Sequence, residues 1–549
     1  MINLGIIRKY LIYAAFALVF LAGIKIYSLY FNKLDFGDEY DNMVAPWLMS
    51  KGYVLYRDFF SHHFPLLFFI GWPLEFLGHT KFLYRILMFA LTFTSFSLFF
   101  MYLKGLYKYS ILPFILIASF GINLYGGQQF ADGPLWALML LGAFFVVVDA
   151  GRSPFGKKRT LLFSLLSFMM FLTSPVHLVA FLILALLHIF LQIKNKKDIA
   201  IYENFQDLKF YFLTVFAFAA LFLIYLLISK SLGSFIYDAF GFNSSIYFFR
   251  ESKLITGFKP IDVYLNALHE VYIHFYLLIK NEGFALLTFF RASKFLFLPF
   301  AFHGQYFDYA KVIFTDLYNN FFSLEMIIAL FYLSGIITFL LQKRFAFAVF
   351  IIIFLLPLRL RIATNTHLSP YYLFSFWLVA LTLAFSFLEL TEKKRALVNL
   401  LICFGTTTLI ALFIAKDWYS FDQTAFNSFP KENRETVDYL KTSPLGSKII
   451  VFRDFSASYY YESNRLPFGY FTNFFPWYNQ SARLNNILVN ELGLYGGDYL
   501  VVNKKDWDGY KNQSSINWRD QYFKIIDYGY KISKITDKNY IFERTAKTN

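Results

Sequence analysis

The sequence predicts a polytopic α-helical membrane protein ending in a soluble α/β domain, and three observations carry that prediction. Of its 549 residues, 58% are hydrophobic, with a mean hydropathy of +0.48. A soluble protein of this size must keep its surface polar and does not carry such a load. Apolar runs of about 18 or more residues recur, each long enough to cross a hydrocarbon core. From Asp417 the composition shifts to that of a soluble chain.

The net charge of +15 does not require a nucleic-acid partner, because much of it sits in short clusters between apolar runs. Arg8 and Lys9 precede the first run, which continues to Phe31 without a small-residue cleavage motif and reads as a retained anchor. The N-terminus is therefore expected in the cytoplasm. An acidic outer segment follows, within a first outer loop at about 32–80. In it Tyr40, Met43, Val44, Trp47 and Leu48 recur at helical spacing, as in an amphipathic helix at the membrane interface.

The stretch Phe64–Leu77 is apolar but short, and Pro73 and Glu75 interrupt it. Treating it as a surface helix places Lys104 and Lys108, then Arg152 and Lys157–Arg159, then Lys194, Lys196 and Lys197 inside. Lys343 with Arg344, and Lys393–Arg395, follow suit; making Phe64–Leu77 a span inverts every cluster. The count is about eleven to thirteen spans, depending on whether 261–280 and 284–302 are paired spans or partly embedded helices. The expected location is the plasma membrane, with residues 1–416 as the transmembrane domain and 417–549 outside. Within the outer domain, Ser447–Phe455 and Asp498–Asn503 look like strands, and Glu432–Lys441 and Ala482–Leu492 like helices. Tyr522–Arg544 reads as terminal strands with turns at Asp527–Gly529 and Asp537–Asn539. The lone cysteine, Cys403, excludes an intrachain disulfide and a Cys-based metal site.

Candidate chemistry gathers on the outer face. The first outer loop reads Gly37-Asp38-Glu39-Tyr40, then Gly52-Tyr53-Val54-Leu55-Tyr56-Arg57-Asp58, then His62-His63-Phe64-Pro65-Leu66, and runs through Gly78-His79-Thr80 to Arg85. Asp132 stands in Ala131-Asp132-Gly133-Pro134, at the outer start of a later span. A second cluster, Arg359, Arg361, His367 and Tyr371, falls outside by the charge count. Cations there run against the positive-inside bias, and binding a lipid phosphate gives them a reason. Structural roles compete at each place. Asp38 with Asp41 resembles a helix cap, Asp132 can start a helix, and Arg359 and Arg361 can snorkel to headgroups.

This order of motifs resembles the GT-C glycosyltransferases that use polyprenyl-phosphate sugar donors. They include protein mannosyltransferases, lipid A aminoarabinose transferases and, most similar, bacterial transferases of the Rgt type. That family has an acidic pair opening the first outer loop, a Gly-Tyr-Arg-Asp-like turn, a His-x-Pro-Leu stretch, and a Gly leading to an Arg. Phe64 stands where many relatives have a second proline. The resemblance implies an inverting displacement with Asp38 as general base, accompanied by Glu39 and by Asp132 on the facing wall. It also implies that Arg85, Arg359, Arg361, His367 and Tyr371 hold the donor phosphate, and that Tyr56, Arg57, Asp58, His62 and His63 support the pocket. Chemistry asks for the same types: a carboxylate to take the acceptor's proton, and cations for the departing phosphate.

The expected partners are a polyprenyl-phosphate sugar, a lipid, glycan or protein acceptor, and membrane lipid. No carboxylate has ligand spacing to His62 and His63, so no metal is called for, and metal dependence stays open. Two alternatives remain: a transporter or flippase for a lipid-linked glycan, and a non-catalytic GT-C relative that binds a glycan. A transporter should hold its polar cavity near the bilayer midplane.

Overall fold

The computed structural model describes residues 37–102, 130–150, 156–173, 199–247, 431–453, 456–494, 496–512 and 519–545, with scattered positions between 175 and 186. Among the described residues, the N-terminal part holds six α-helices of ten or more residues: α1 Gly37–Ser50, α2 Leu66–Glu75, α3 Lys81–Tyr102, α4 Gly133–Ala150, α5 Gly156–Phe171 and α6 Ile199–Ile228. Helix α2 has ten residues. At 1.5 Å per residue it covers about 15 Å, half of a hydrocarbon core.

Helices α3, α4, α5 and α6 pack side by side in that order. The α5–α6 pair is parallel. Gly156 N–H donates to Asp207 Oδ2 (3.2 Å), Thr214 Oγ1 to Ser164 Oγ (2.6 Å), and Phe168 stacks on Phe218 further along. Among the described residues, one stretch has the length and hydropathy to cross a membrane: Gln206–Ile228, 23 residues at a mean hydropathy of 2.5. Phe212, Phe216, Leu221, Ile224 and Ile228 on it are exposed. In water such a face would be costly, so its apolar surface needs a cover.

Beyond α6, a turn of helix at Leu232–Phe235 runs into a π-helix, Ile236–Tyr247. The C-terminal part comprises α7 Lys431–Thr442, β1 Lys448–Phe452, α8 Ala457–Ser463, β2 Leu466–Pro467, a 3₁₀ turn Pro476–Gln480, α9 Ala482–Gly493, β3 Tyr499–Asn503, α10 Lys504–Lys511, α11 Asp520–Gly529, β4 Tyr530–Ile535 and β5 Asn539–Arg544. These form a five-stranded sheet in the order β2-β1-β3-β5-β4. Strand β1 is parallel to β2 and β3, whereas β5 is antiparallel to β3 and β4. Residues Ile449–Phe452 and Leu500–Val502 are buried almost completely, as strands covered on both faces require.

Two expectations are corrected. Tyr522–Gly529 is helical, not a strand, because Tyr522, Phe523 and Ile526 recur at helical spacing and bury one face. Only Tyr530 onward is extended, with its turn at 536–538. Helix α1 forms where its apolar spacing predicts, but Tyr40, Met43, Val44, Trp47 and Leu48 are all at most 2% exposed. Helices α2 and α8 pack on it, so protein covers its apolar face. The C-terminal domain thus docks on α1 and on the segment after α2. Tyr40 Oη donates to Glu462 Oε1 (2.6 Å), and His79 Nε2 lies 2.9 Å from the Tyr461 carbonyl.

Candidate functional site

Asp38 lies on α1, next to Glu39. Position 41 is three residues further on, on the same helix face. Asp41 Oδ2 lies 4.0 Å from His63 Nε2, each side chain about one-fifth exposed, and Thr472 Oγ1 of the C-terminal domain donates to Asp41 Oδ1 (3.4 Å). This face of α1 is open to solvent at Asp41 and is met by the two-histidine stretch, whose rings are 4.2 Å apart.

The adjacent residue, Glu39, faces the interior. Its carboxylate receives two hydrogen bonds from Arg85 of α3, from Nε at 2.8 Å and Nη2 at 2.6 Å, and both side chains are fully buried. Glu39 Oε1 also accepts the Phe130 N–H (3.2 Å), while Asn42 Nδ2 donates to the Phe130 carbonyl (2.9 Å). Helix α1 therefore grips both backbone groups of Phe130, two residues before Asp132. Asp132 is buried, 7% exposed, and its carbonyl accepts the Trp136 N–H, opening α4. Gly71 of α2 allows the approach, since a Cβ there would lie 2.7 Å from the Phe130 ring and 2.8 Å from Pro46. The outcome is that the Asp38 helix and the Asp132 segment are fastened together. Glu39 and Arg85, grouped by the sequence with a base and a phosphate ligand, here neutralise each other and form the fastening.

The Gly52–Asp58 turn is built around its own side chains. Asp58 Oδ2 accepts the Val54 N–H (2.7 Å), and Arg57 grips Asp58 from Nε and Nη2, both at 2.8 Å. Those Arg57 bonds hold the Asp58 carboxyl below the usual carboxylate range. Tyr56 is buried with φ +66°, and its hydroxyl donates to the His63 carbonyl (2.8 Å). The His62 carbonyl accepts from Asn243 of the π-helix (2.6 Å). Tyr56, His62 and His63 are thus joined in one loop framework, while Arg57 and Asp58 sit at its exposed rim.

Arg359, Arg361, His367 and Tyr371 lie outside the described residues. Among the described residues, no group of three or more His, Cys, Asp or Glu is gathered for a metal ion. Sequence reasoning passed over Asn42, Thr472, Asp238, Tyr470 and Glu491, which come together only through long-range folding. The one local signal was Asp238, an acid just past a long apolar run. No family model matches this chain, and no curated protein matches it significantly.

Proposed function

We propose that this chain is a polytopic membrane glycosyltransferase of the GT-C type, moving a sugar from a polyprenyl-phosphate donor to an acceptor at the outer membrane face. The observation that carries this is the fastening of the Asp38 helix to the Asp132 segment by Glu39, Arg85 and Asn42. Asp38 and Asp132, on separate elements, stand at one end of helices α3–α6. A transporter calls for a polar site midway along such helices, and in that respect the enzyme reading is favoured.

In the proposed step, an acceptor oxygen attacks the anomeric carbon as the bond to the phosphate oxygen breaks. Asp38 takes the acceptor's proton. The polyprenyl phosphate leaves with the bonding pair, its charge met by Arg359, Arg361, His367 and Tyr371. The inverted configuration follows from a single displacement.

The test compares Asp38→Asn and wild type, purified in detergent and supplied with polyprenyl-phosphate sugars, with mass spectrometry following donor loss and product. An amide has nearly the shape of the carboxyl but takes no proton at neutral pH. Asp38→Asn should retain the fold and lose about 10²–10⁴ in turnover. A folded Asp38→Asn protein that transfers at the wild-type rate sinks the assignment, and Asp132 or Glu39 becomes the candidate base.

A further inference from the structure

A buried acid beyond α6 has no part in the transfer step. Asp238, in the π-helix, is fully buried; its Oδ2 lies 2.7 Å from the Tyr470 hydroxyl, and its Oδ1 has no hydrogen-bond partner among the described residues. The same hydroxyl lies 2.6 Å from the carbonyl oxygen of Tyr56. Both are hydrogen-bond separations, yet a phenol has one proton and a carbonyl only accepts. With the Tyr470 proton on Tyr56, the contact to Asp238 needs a second proton, and the carboxyl itself can supply it. Ser234 fits this count: its Oγ accepts from Arg483 Nη2 (3.3 Å), leaving its own proton for the phenol oxygen. A neutral carboxyl also leaves only a carbonyl oxygen at Oδ1, far cheaper to bury than part of a charge.

We propose that Asp238 is held protonated and, through Tyr470, acts as a proton-dependent latch between the C-terminal domain and the Gly52–Asp58 turn. This inference stands apart from the transfer reaction and does not need it. Tyr56 adopts a left-handed backbone that a non-glycine residue keeps only where its surroundings enforce it, and the bond from Tyr470 is one of those enforcers. On its other side Tyr470 is held by a second, partly buried acid. Its N–H donates to Glu491 Oε1 (2.6 Å), and its carbonyl accepts the Phe60 N–H (2.7 Å). Gly469 makes room for Glu491, since a Cβ there would lie 2.3 Å from Oε2.

Burial pushes Asp238 up to about 7 from 3.8, and Glu491 up to about 7 from 4.5. The other groups facing Asp238 are Tyr470 from the C-terminal domain, Arg483 from α9, the Ser61 N–H from the outer loop and, around Tyr56, Tyr225 and Asp132. The sign follows from proton counting. Undocked, Asp238 titrates near its ordinary value; docked, it keeps its proton up to about 7. Docking is therefore tightest at acid pH and weakens as pH rises toward 7. Above that, Asp238 takes over the phenol proton and the Tyr56 carbonyl loses its bond.

The experiment uses the full chain in detergent. Infrared difference spectra between about pH 5 and about pH 9 should lose a buried carboxylic-acid band with a midpoint near 7. That band should persist in Glu491→Gln and vanish in Asp238→Asn. Hydrogen exchange over residues 52–60, corrected for intrinsic rates, should rise about tenfold across the same range, the worth of one buried hydrogen bond. Asp238→Asn, whose amide donates to Tyr470 as the acid does, should stay protected throughout. Tyr470→Phe should be unprotected at every pH. Absence of an Asp238-dependent band overturns the latch. So does a wild-type pH slope in Asp238→Asn or, should that variant misfold, in Tyr470→Phe.

Discussion

Removing one partner of a fully buried ion pair strands the other's charge in the interior, at a typical cost of about 3–5 kcal/mol. Glu39→Gln should show this cost as a lowered denaturation midpoint, since Arg85 would keep its charge and lose its counterion. Adding Arg85→Met should recover most of the loss, because the amide introduced by Glu39→Gln can still accept the Phe130 N–H while the stranded cation is gone. The double-mutant cycle reads the coupling directly. Strictly additive losses would mean that the pair is not the fastening described. These residues also show where sequence reasoning stops. The Asp38-Glu39 pair was legible as an acidic opening to the loop, and Arg85 as its later cation. That Glu39 points inward to Arg85, 46 residues away, follows from how α3 packs, and no local pattern encodes it. Asp238 and Tyr470 are further apart still, at 232 residues.

Among the elements, those with a clean period were legible. Helix α1 announced itself through its apolar spacing, and β1 and β3 through short β-branched runs bounded by turn residues. Helix α11 did not. Its aromatic and β-branched content suits a strand and masks the helical spacing of Tyr522, Phe523 and Ile526, whose buried face packs towards α9 and β4. Helix α8 was hidden because its three consecutive tyrosines are nearly all buried, leaving no polar face to mark a period. One position tests how α1, α2 and the Phe130 segment fit together. Gly71→Ala puts a methyl where Phe130 and Pro46 already stand. Overpacking of this kind typically costs about 1–3 kcal/mol. The thermal midpoint should fall accordingly, and turnover should fall beyond what lost folded protein explains, because Phe130 leads into Asp132. An alanine variant with unchanged stability would show that α2 slides aside freely, and that the contact does not position Asp132.

At the scale of the molecule, the helix directions and the charge clusters can be set against each other. Helix α4 starts at the site, beside Asp132, and α5 and α6 end there. The Leu172 carbonyl after α5 accepts the Leu66 N–H of α2, and Arg57 reaches the Ser229 carbonyl after α6 (3.4 Å). The opposite ends carry Lys157, Lys158 and Arg159, with Asp207 level with Gly156. From Asp207 to Ile228 is about 32 Å at 1.5 Å per residue, close to the thickness of a hydrocarbon core. The lysine-rich ends and the docked C-terminal domain therefore lie one membrane thickness apart along α6. In a Cys403→Ser background, cysteine at position 528, where Tyr528 is 87% exposed, should react with a membrane-impermeant maleimide added to intact cells. Cysteine at position 157 should react only after the membrane is opened. Labelling of both positions from outside would mean that no membrane separates the two ends, and labelling of position 157 alone would invert the chain. Either result moves Asp38 and Asp132 off the outer face, away from any donor presented there, and ends the proposed transfer reaction.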